Sequence, residues 1–372
     1  LVAASLGSGC YDGLGDYGDE WDGIGGFEET ATGGGGSDPS GGDDAPPANL
    51  DPAPPTIHRL TQAQLRNTYL AVLGEPLELP TELPPDDQLY GFTSIAAAGA
   101  TISPLAAEQY ENASYLVLDQ VWADPDRRAS LVGCEPSDAS DPCVSAFFER
   151  FAKTAWRRPV DAAEVEALVA LTGSVATELG DVSEALKFGA AAVLQSPNFL
   201  FRIEIGVPDP NAPQLLRYTS WEMASRLSYL LTDAPPDAEL MELADSDGLQ
   251  SVDAIEAQAV RLLDDPRARA SLVGFFRDFM NIAKLDDLDR SADQFPQMTP
   301  TLGISMRLQL ERIFEATVFD DSGDFRDLFT TRSTFLNEEL AALYGVEGIA
   351  GDELQPYRFD AGAQRAGILT SA

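Results

Sequence analysis

The sequence changes character at Arg59. Ahead of it stand eleven of the chain's 61 acidic residues and no basic one, and behind it apolar residues recur at helical spacing almost to the end. Residues 11 to 56 are rich in Gly, Asp, Ser and Pro, with a Gly33-Gly34-Gly35-Gly36 run and a closing Asp51-Pro52-Ala53-Pro54-Pro55. Such a composition cannot bury enough apolar surface to offset its ordering entropy, so 10–56 is expected to be a disordered tether. As a flexible coil it would hold the body about 35–40 Å from an anchor. Tyr11, Tyr17, Trp21 and Phe27, set among its Gly and Asp, leave room for transient sticking.

Beyond the tether, the start and stop signals are those of helices. Thr61 and Gln64 have capping-box spacing, Leu60 and Leu65 stand as a hydrophobic staple, and Gly74 with Pro76 marks the end. Thr219 and Glu222, with Tyr218 and Met223, repeat the pattern ahead of a face bearing Met223, Leu227 and Leu230. Asp141-Pro142 opens a helix with Phe147, Phe148 and Phe151, and Asp265-Pro266 one with Leu272, Phe275, Phe276 and Phe279. Leu302, Met306, Leu310, Ile313, Phe314 and Thr317 keep helical period over more than four turns, and Asn337 caps a short helix ending at Tyr344-Gly345. These stripes read as core. Only Phe199 to Ile205 looks like a strand, too little for a sheet. The expectation is an all-α, multi-helix globular body, divided at 57–133, 134–208 and 215–346, with 357–372 as the start of a further domain.

Cys10 closes Leu6-Gly7-Ser8-Gly9-Cys10 after a small, apolar beginning, as the acylated Cys of a bacterial lipoprotein signal would. Residues 1–9 then read as a signal-peptide remnant, lacking an initiator Met and a basic n-region. The competing reading is an ordinary leader cut elsewhere, since Gly7 and Ser8 are only fair lipobox residues. The other two cysteines, Cys134 and Cys143, fit no metal motif and are expected to form a disulfide worth about 2–3 kcal/mol in the chain-entropy model, which implies an oxidising compartment. Gln88 to Ala107 is uncharged, but Gly91, Gly99 and Pro104 make it a poor membrane span. Cys10 is therefore the expected lipid attachment, placing the chain in the cell envelope as an outer-membrane or surface lipoprotein that touches the membrane through its N-terminal lipid.

The formal charge is -37, and the body beyond the tether is acidic too; such a field repels phosphate backbones and anionic lipid surfaces, so no nucleic-acid partner is expected. With 21 Arg and three Lys, solubility in a salty or GC-rich host explains the bias. One histidine, His58, would have to serve any Ser-His-Asp or Cys-His mechanism, and its place at the tether's end reads as an exposed linker residue. Gly13-Leu14-Gly15-Asp16-Tyr17-Gly18 matches a dinucleotide pattern without the flanking strand and helix that give it meaning. Asp320, Ser322 and Asp324 alternate like calcium ligands, but Phe325 and Thr331 break the EF-hand, and Asp286, Asp287 and Asp289 are no stronger. Paired carboxylates arise by chance in so acidic a chain. Arg157, Arg158 and Arg226 lie beside Phe151, Trp156, Leu227 and Tyr229, where structural ion pairing is favoured over anion binding. No catalytic residue, metal or cofactor is assigned.

Several motifs, in order, resemble a family of large secreted or surface proteins of planctomycetes and myxobacteria, built from consecutive domains of unknown function often found with c-type cytochrome modules. Arg59-Leu60-Thr61 through Leu73-Gly74 resembles the opening domain, and Leu89-Tyr90-Gly91-Phe92 its Gly-Phe motif, with Thr93 where an acidic or amide residue is expected. Phe151 through Trp156-Arg157-Arg158-Pro159 resembles the second. Ala224-Ser225-Arg226-Leu227-Ser228-Tyr229-Leu230, Pro235-Pro236-Asp237 and Phe335-Leu336-Asn337 through Leu343-Tyr344-Gly345 resemble the third. Arg365-Ala366-Gly367-Ile368-Leu369-Thr370 resembles the start of a fourth, inside which the chain ends. The resemblance implies an envelope protein partner, with a c-type cytochrome as one candidate; the chain itself lacks the Cys-x-x-Cys-His that attaches haem. The leading expectation is a non-catalytic binding or assembly component. The alternatives are a non-haem subunit of an extracytoplasmic redox system and a carboxylate-based hydrolase of a surface polymer.

Overall fold

The computed structural model describes residues 54–371 except Ala292, Asp321 and Ser322. Cys10, the dinucleotide-like glycines and the tether up to residue 53 lie outside the described residues.

One local device starts helix after helix: a Ser or Asp whose side chain accepts a backbone N–H, followed at once by Pro, which has no N–H to strand. It opens the helices at Ser103-Pro104, Asp124-Pro125, Asp141-Pro142, Ser196-Pro197 and Asp265-Pro266. In chain order, strand β1 (Thr56–Arg59) leads into α1 (Gln62–Leu73), α2 (Thr93–Ala96), α3 (Pro104–Ala123), α4 (Pro125–Val132), α5 (Pro142–Trp156), α6 (Ala162–Leu179), α7 (Val182–Gln195), α8 (Pro197–Leu200) and strand β2 (Phe201–Glu204). The capping box expected at Thr61 and Gln64 is present, with both staple residues, Leu60 and Leu65, buried. Cys134 and Cys143 are joined by a disulfide, their Cα atoms 5.9 Å apart, between the end of α4 and the first turn of α5.

A single apolar cluster runs through these elements, from Leu60 through Leu118, Phe147, Phe148 and Leu186 to Leu200, so residues on both sides of the 133/134 division share one core. At Gly189 of α7 the helices pack closely: a Cβ there would sit 2.4 Å from Phe148 Cζ and 2.7 Å from Thr172 Oγ1. Hydrogen at that position lets α7 lie directly on α5 and α6.

The remaining residues form β3 (Val207–Pro208), β4 (Leu216–Arg217), α9 (Ser220–Thr232), α10 (Ala238–Asp245), α11 (Val252–Leu263), α12 (Pro266–Phe279), α13 (Leu302–Glu315), β5 (Ser333–Leu336), α14 (Glu338–Tyr344) and β6 (Gln355–Arg358). Thr219 and Glu222 form the expected capping box, and Asn337 caps α14 as read. Here the apolar residues fall into three separate, smaller clusters, centred on Phe276 and Phe314, on Leu240 and Leu262, and on Leu336 and Leu340. Ile368, from the segment read as the start of a further domain, is buried in the first of them.

The all-α reading holds for the described residues, with two corrections. Phe199–Ile205 does supply a strand, and it finds a partner: β1 pairs antiparallel with β2, one of three two-stranded sheets. The stripes on α9 and α12 are also only partly core. Leu230 is 67% exposed, Phe275 55% and Phe279 52%, because Ala224, Leu227, Val273 and Phe276 take the buried side of their helices. Periodicity places residues on a face without saying how wide a neighbour covers it.

Candidate functional site

The site begins with the strand pairing that the sequence hides. The β1–β2 register sets His58 opposite Arg202 and Thr56 opposite Glu204, and alternation along β2 puts Arg202 and Glu204 on one face. Glu204 is 2% exposed. Arg226, from α9, forms an ion pair with Glu204 Oε2, while Arg202 Nε lies 2.5 Å from Oε1 in an ion pair too poorly aligned to be a hydrogen bond. The buried carboxylate is thus held between two guanidinium groups from different elements, the arrangement that makes burial of a charge tolerable.

His58 belongs to this cluster, which corrects its reading as an exposed linker residue. Its side chain is 21% exposed, its Nε2 lies 3.9 Å from Glu204 Oε2, and its Nδ1 is buried without a hydrogen-bond partner among the described residues. Burial and the positive charge of Arg202 lower its pKa, Glu204 opposes them, and Arg226 lowers it further, so the imidazole is neutral at pH 7.

Around this core, α1 meets the C-terminal end of α9. Gln64 Nε2 donates to Asp233 Oδ1 (3.1 Å), Asn67 Nδ2 donates to the Asp233 carbonyl (2.9 Å), and Thr68 Oγ1 lies 2.8 Å from the Tyr229 hydroxyl. Asp233 ends α9 in a left-handed conformation, φ 49°, and burial raises its pKa despite hydrogen bonds from Gln64 and Ser271. Across the space, Asp278 Oδ2 accepts from the Thr93 N–H (3.0 Å) and hydroxyl (2.9 Å). Asp86 also lines the cavity; burial raises its pKa, while the Gln62 N–H and the Arg59 guanidinium pull the other way.

The result is a cavity of about 420 Å³, within the range of small-molecule sites, lined by His58, Arg202, Arg226, Asp233 and Asp278 among others. Phe92, Leu230 and Phe275 make an apolar part of the lining. The Leu89–Phe92 turn, with Tyr90 at φ 55° and Gly91 at φ 86°, brings Phe92 into a stack on Phe275, centroids 5.6 Å apart, and Phe275 stacks in turn on Phe279. Tyr90 itself is 85% exposed.

The other two arginines lie apart from this cavity and just beyond the end of α5, not within it. Arg157 caps α5 at φ 57° and is 3% exposed; its guanidinium donates to the carbonyls of Ala155, Asn198, Phe199 and Phe201 at 2.7–3.1 Å and lies over the Tyr229 ring. Burial lowers its pKa, but a guanidinium stays charged, so four carbonyl dipoles act as its solvent. Arg158 makes a bidentate pair with Glu164, at 2.6 and 3.0 Å, above the Trp156 ring.

Among the described residues, no group of three or more His, Cys, Asp or Glu could hold a metal ion. Asp320 is paired with Arg269 and Arg312, Asp324 with Arg326, and Asp286 with Arg307; Ser322 lies outside the described residues. No described helix is long and apolar enough to cross a membrane.

Glu204 and Asp233 carry no local sequence signal, since both owe their role to partners more than a hundred residues away or on another element.

Three regions of the chain match known families: residues 58–123 the one described as PSD3, Protein of unknown function (DUF1587), residues 143–204 PSD5, Protein of unknown function (DUF1595), and residues 218–346 PSD4, Protein of unknown function (DUF1592). No curated protein and no solved structure matches. The cavity takes His58 and Thr93 from the first region, Arg202 from the second, and Arg226, Asp233 and Asp278 from the third. In chain order the molecule therefore carries a PSD3, a PSD5 and a PSD4 domain, each of unknown function.

Proposed function

We propose that this is a lipid-anchored cell-envelope protein that acts by binding, with its partner or ligand entering the cavity on which the three domains converge. The observation that carries the reading is that convergence: every domain supplies side chains to one cavity, where Asp233, Asp278 and Arg226 are held by intramolecular partners and whose lining includes the exposed Leu230 and Phe275. A surface ordered in advance spends little free energy on ordering when it binds. The anchor rests on Cys10, and the Cys134–Cys143 disulfide suits an oxidising compartment outside the cytoplasm.

A photoreactive residue placed at Leu230 of the full chain, in the membranes of its own host, should give one reproducible adduct that Phe275→Asp removes. A smear of unrelated adducts, or none, overturns the binding reading. Cys10→Ser should release the protein from the membrane pellet, and its retention there overturns the anchor. A Soret band in the purified adduct would identify the partner as a haem protein, in line with the cytochrome company of the family it resembles.

A second reading has its own support. Asp233 and Asp278 line the same cavity, and Asp233 holds its proton to higher pH than an ordinary carboxyl, as the acid of a hydrolytic pair must. Hydrolysis of a host envelope polymer by the wild type, abolished by Asp233→Asn and by Asp278→Asn, would establish it; an inert wild type removes it.

A further inference from the structure

A second pocket, of about 280 Å³, lies between the end of α5, strand β2 and the first turns of α9. Its walls are Trp156, Phe201, Ile203, Val207 and Trp221. Trp156 is fixed, its Nε1–H donating to the Val193 carbonyl (3.0 Å) with Arg158 over its ring, while Trp221 has Lys153 5.3 Å from its ring centroid. The charged groups along the pocket are already matched. Glu222 accepts from the N–H groups of Ile205, Gly206 and Thr219 and from the Thr219 hydroxyl, Arg158 holds Glu164, and Arg157 is solvated by carbonyls. An ionic ligand would therefore find no free counter-charge.

Two polar groups in the lining, the Ser225 hydroxyl and the Trp221 indole N–H, make no hydrogen bond among the described residues, and Ser225 is the more buried of the two. Ser225 is 5% exposed and its hydroxyl lacks such a bond, whereas Ser114 on α3, Thr172 on α6 and Thr232 on the same helix α9 each donate to the carbonyl four residues back. That is the usual fate of a helical hydroxyl. A hydroxyl that lines an apolar pocket and has no protein partner is free to meet a ligand atom there.

We propose that this pocket binds an uncharged aromatic molecule of about two fused rings bearing one hydroxyl or carbonyl, which Ser225 engages while Trp156 and Trp221 flank the rings. The volume is roughly twice that of the ~150 Å³ cavity known to hold benzene.

Calorimetric titration of the full chain with 2-naphthol tests this, with naphthalene as the control that lacks the hydroxyl. One-site saturation is expected. Ser225→Ala should weaken 2-naphthol by about two- to tenfold, the worth of one hydrogen bond, and leave naphthalene unchanged. Val207→Trp, at a 40% exposed position in the short strand β3, should occlude the pocket and abolish binding of both without shifting the melting temperature. If that variant fails to fold, the Ser225→Ala comparison decides alone. No saturable binding by the wild type, or unchanged 2-naphthol affinity in Ser225→Ala, overturns the proposal.

Discussion

Residues 60–200 and residues 216–371 are both helical, but they hold themselves together differently. The first stretch buries one continuous cluster around Phe147 and Phe148, which takes in Tyr229 of α9 as well, and is cross-linked by a disulfide. The second has three small clusters, stitched by ion pairs such as Arg261 with Asp237 and Arg307 with Asp286 and Glu311. The difference teaches where rigidity resides. A continuous core transmits any cavity or strain throughout, whereas separate clusters open locally at lower cost. The central cavity lies where the two kinds of packing meet.

The sharpest way to break this comparison is at the cores. Phe148→Ala should cost about 3–5 kcal/mol in chemical denaturation, against about 2–3 kcal/mol for Leu340→Ala, whose neighbours can collapse around it. Equal losses would show that the clusters act as one core. Next comes Arg157, whose removal orphans carbonyls at the seam between α5, α8 and β2. Arg157→Met should cost on the order of 3 kcal/mol and leave denaturation cooperative. Opening the disulfide by Cys134→Ser with Cys143→Ser should remove about 2–3 kcal/mol, measured on the oxidised and mutant proteins side by side, with the loss confined to the first stretch in hydrogen exchange.

Two smaller effects sharpen the contrast. Arg261→Ala breaks a bidentate but partly exposed pair and should cost about 0.5–1 kcal/mol, shrinking at high salt; a larger, salt-independent loss would mean the ion pairs of the second stretch outweigh its clusters. The smallest effect is that of His58. Its pKa is lowered on folding, so the unfolded chain takes up the proton first, and stability falls as pH drops from about 6.5 towards the folded value. His58→Gln should flatten the pH dependence of the melting temperature in that window and leave values near pH 8 little changed.

Legibility followed locality. The capping boxes at Thr61 and Thr219, the Asp-Pro helix starts and the long stripe from Leu302 to Thr317 involve residues within a few turns of one another, and each is found where the sequence places it. The place of His58 is hidden from the sequence because its partner strand lies at Phe201–Glu204, and nothing near either segment announces the pairing. The exposure of Leu230, Phe275 and Phe279 is hidden too, because an amphipathic stripe shows which side is apolar, not whether a neighbour arrives to cover it. The three arginines stand beside apolar faces as read, yet their partners, carbonyls for Arg157, Glu164 for Arg158 and Glu204 for Arg226, come from the fold.

Strand β1 has a mechanical consequence. The polypeptide enters the helical body through Thr56–Arg59, so tension applied to the chain ahead of Thr56 is borne first by the β1–β2 ladder, before any helix feels it. Peeling that ladder withdraws His58 from Glu204 and takes one wall of the cavity with it, making the grip of the binding site sensitive to pulling at the N-terminal side.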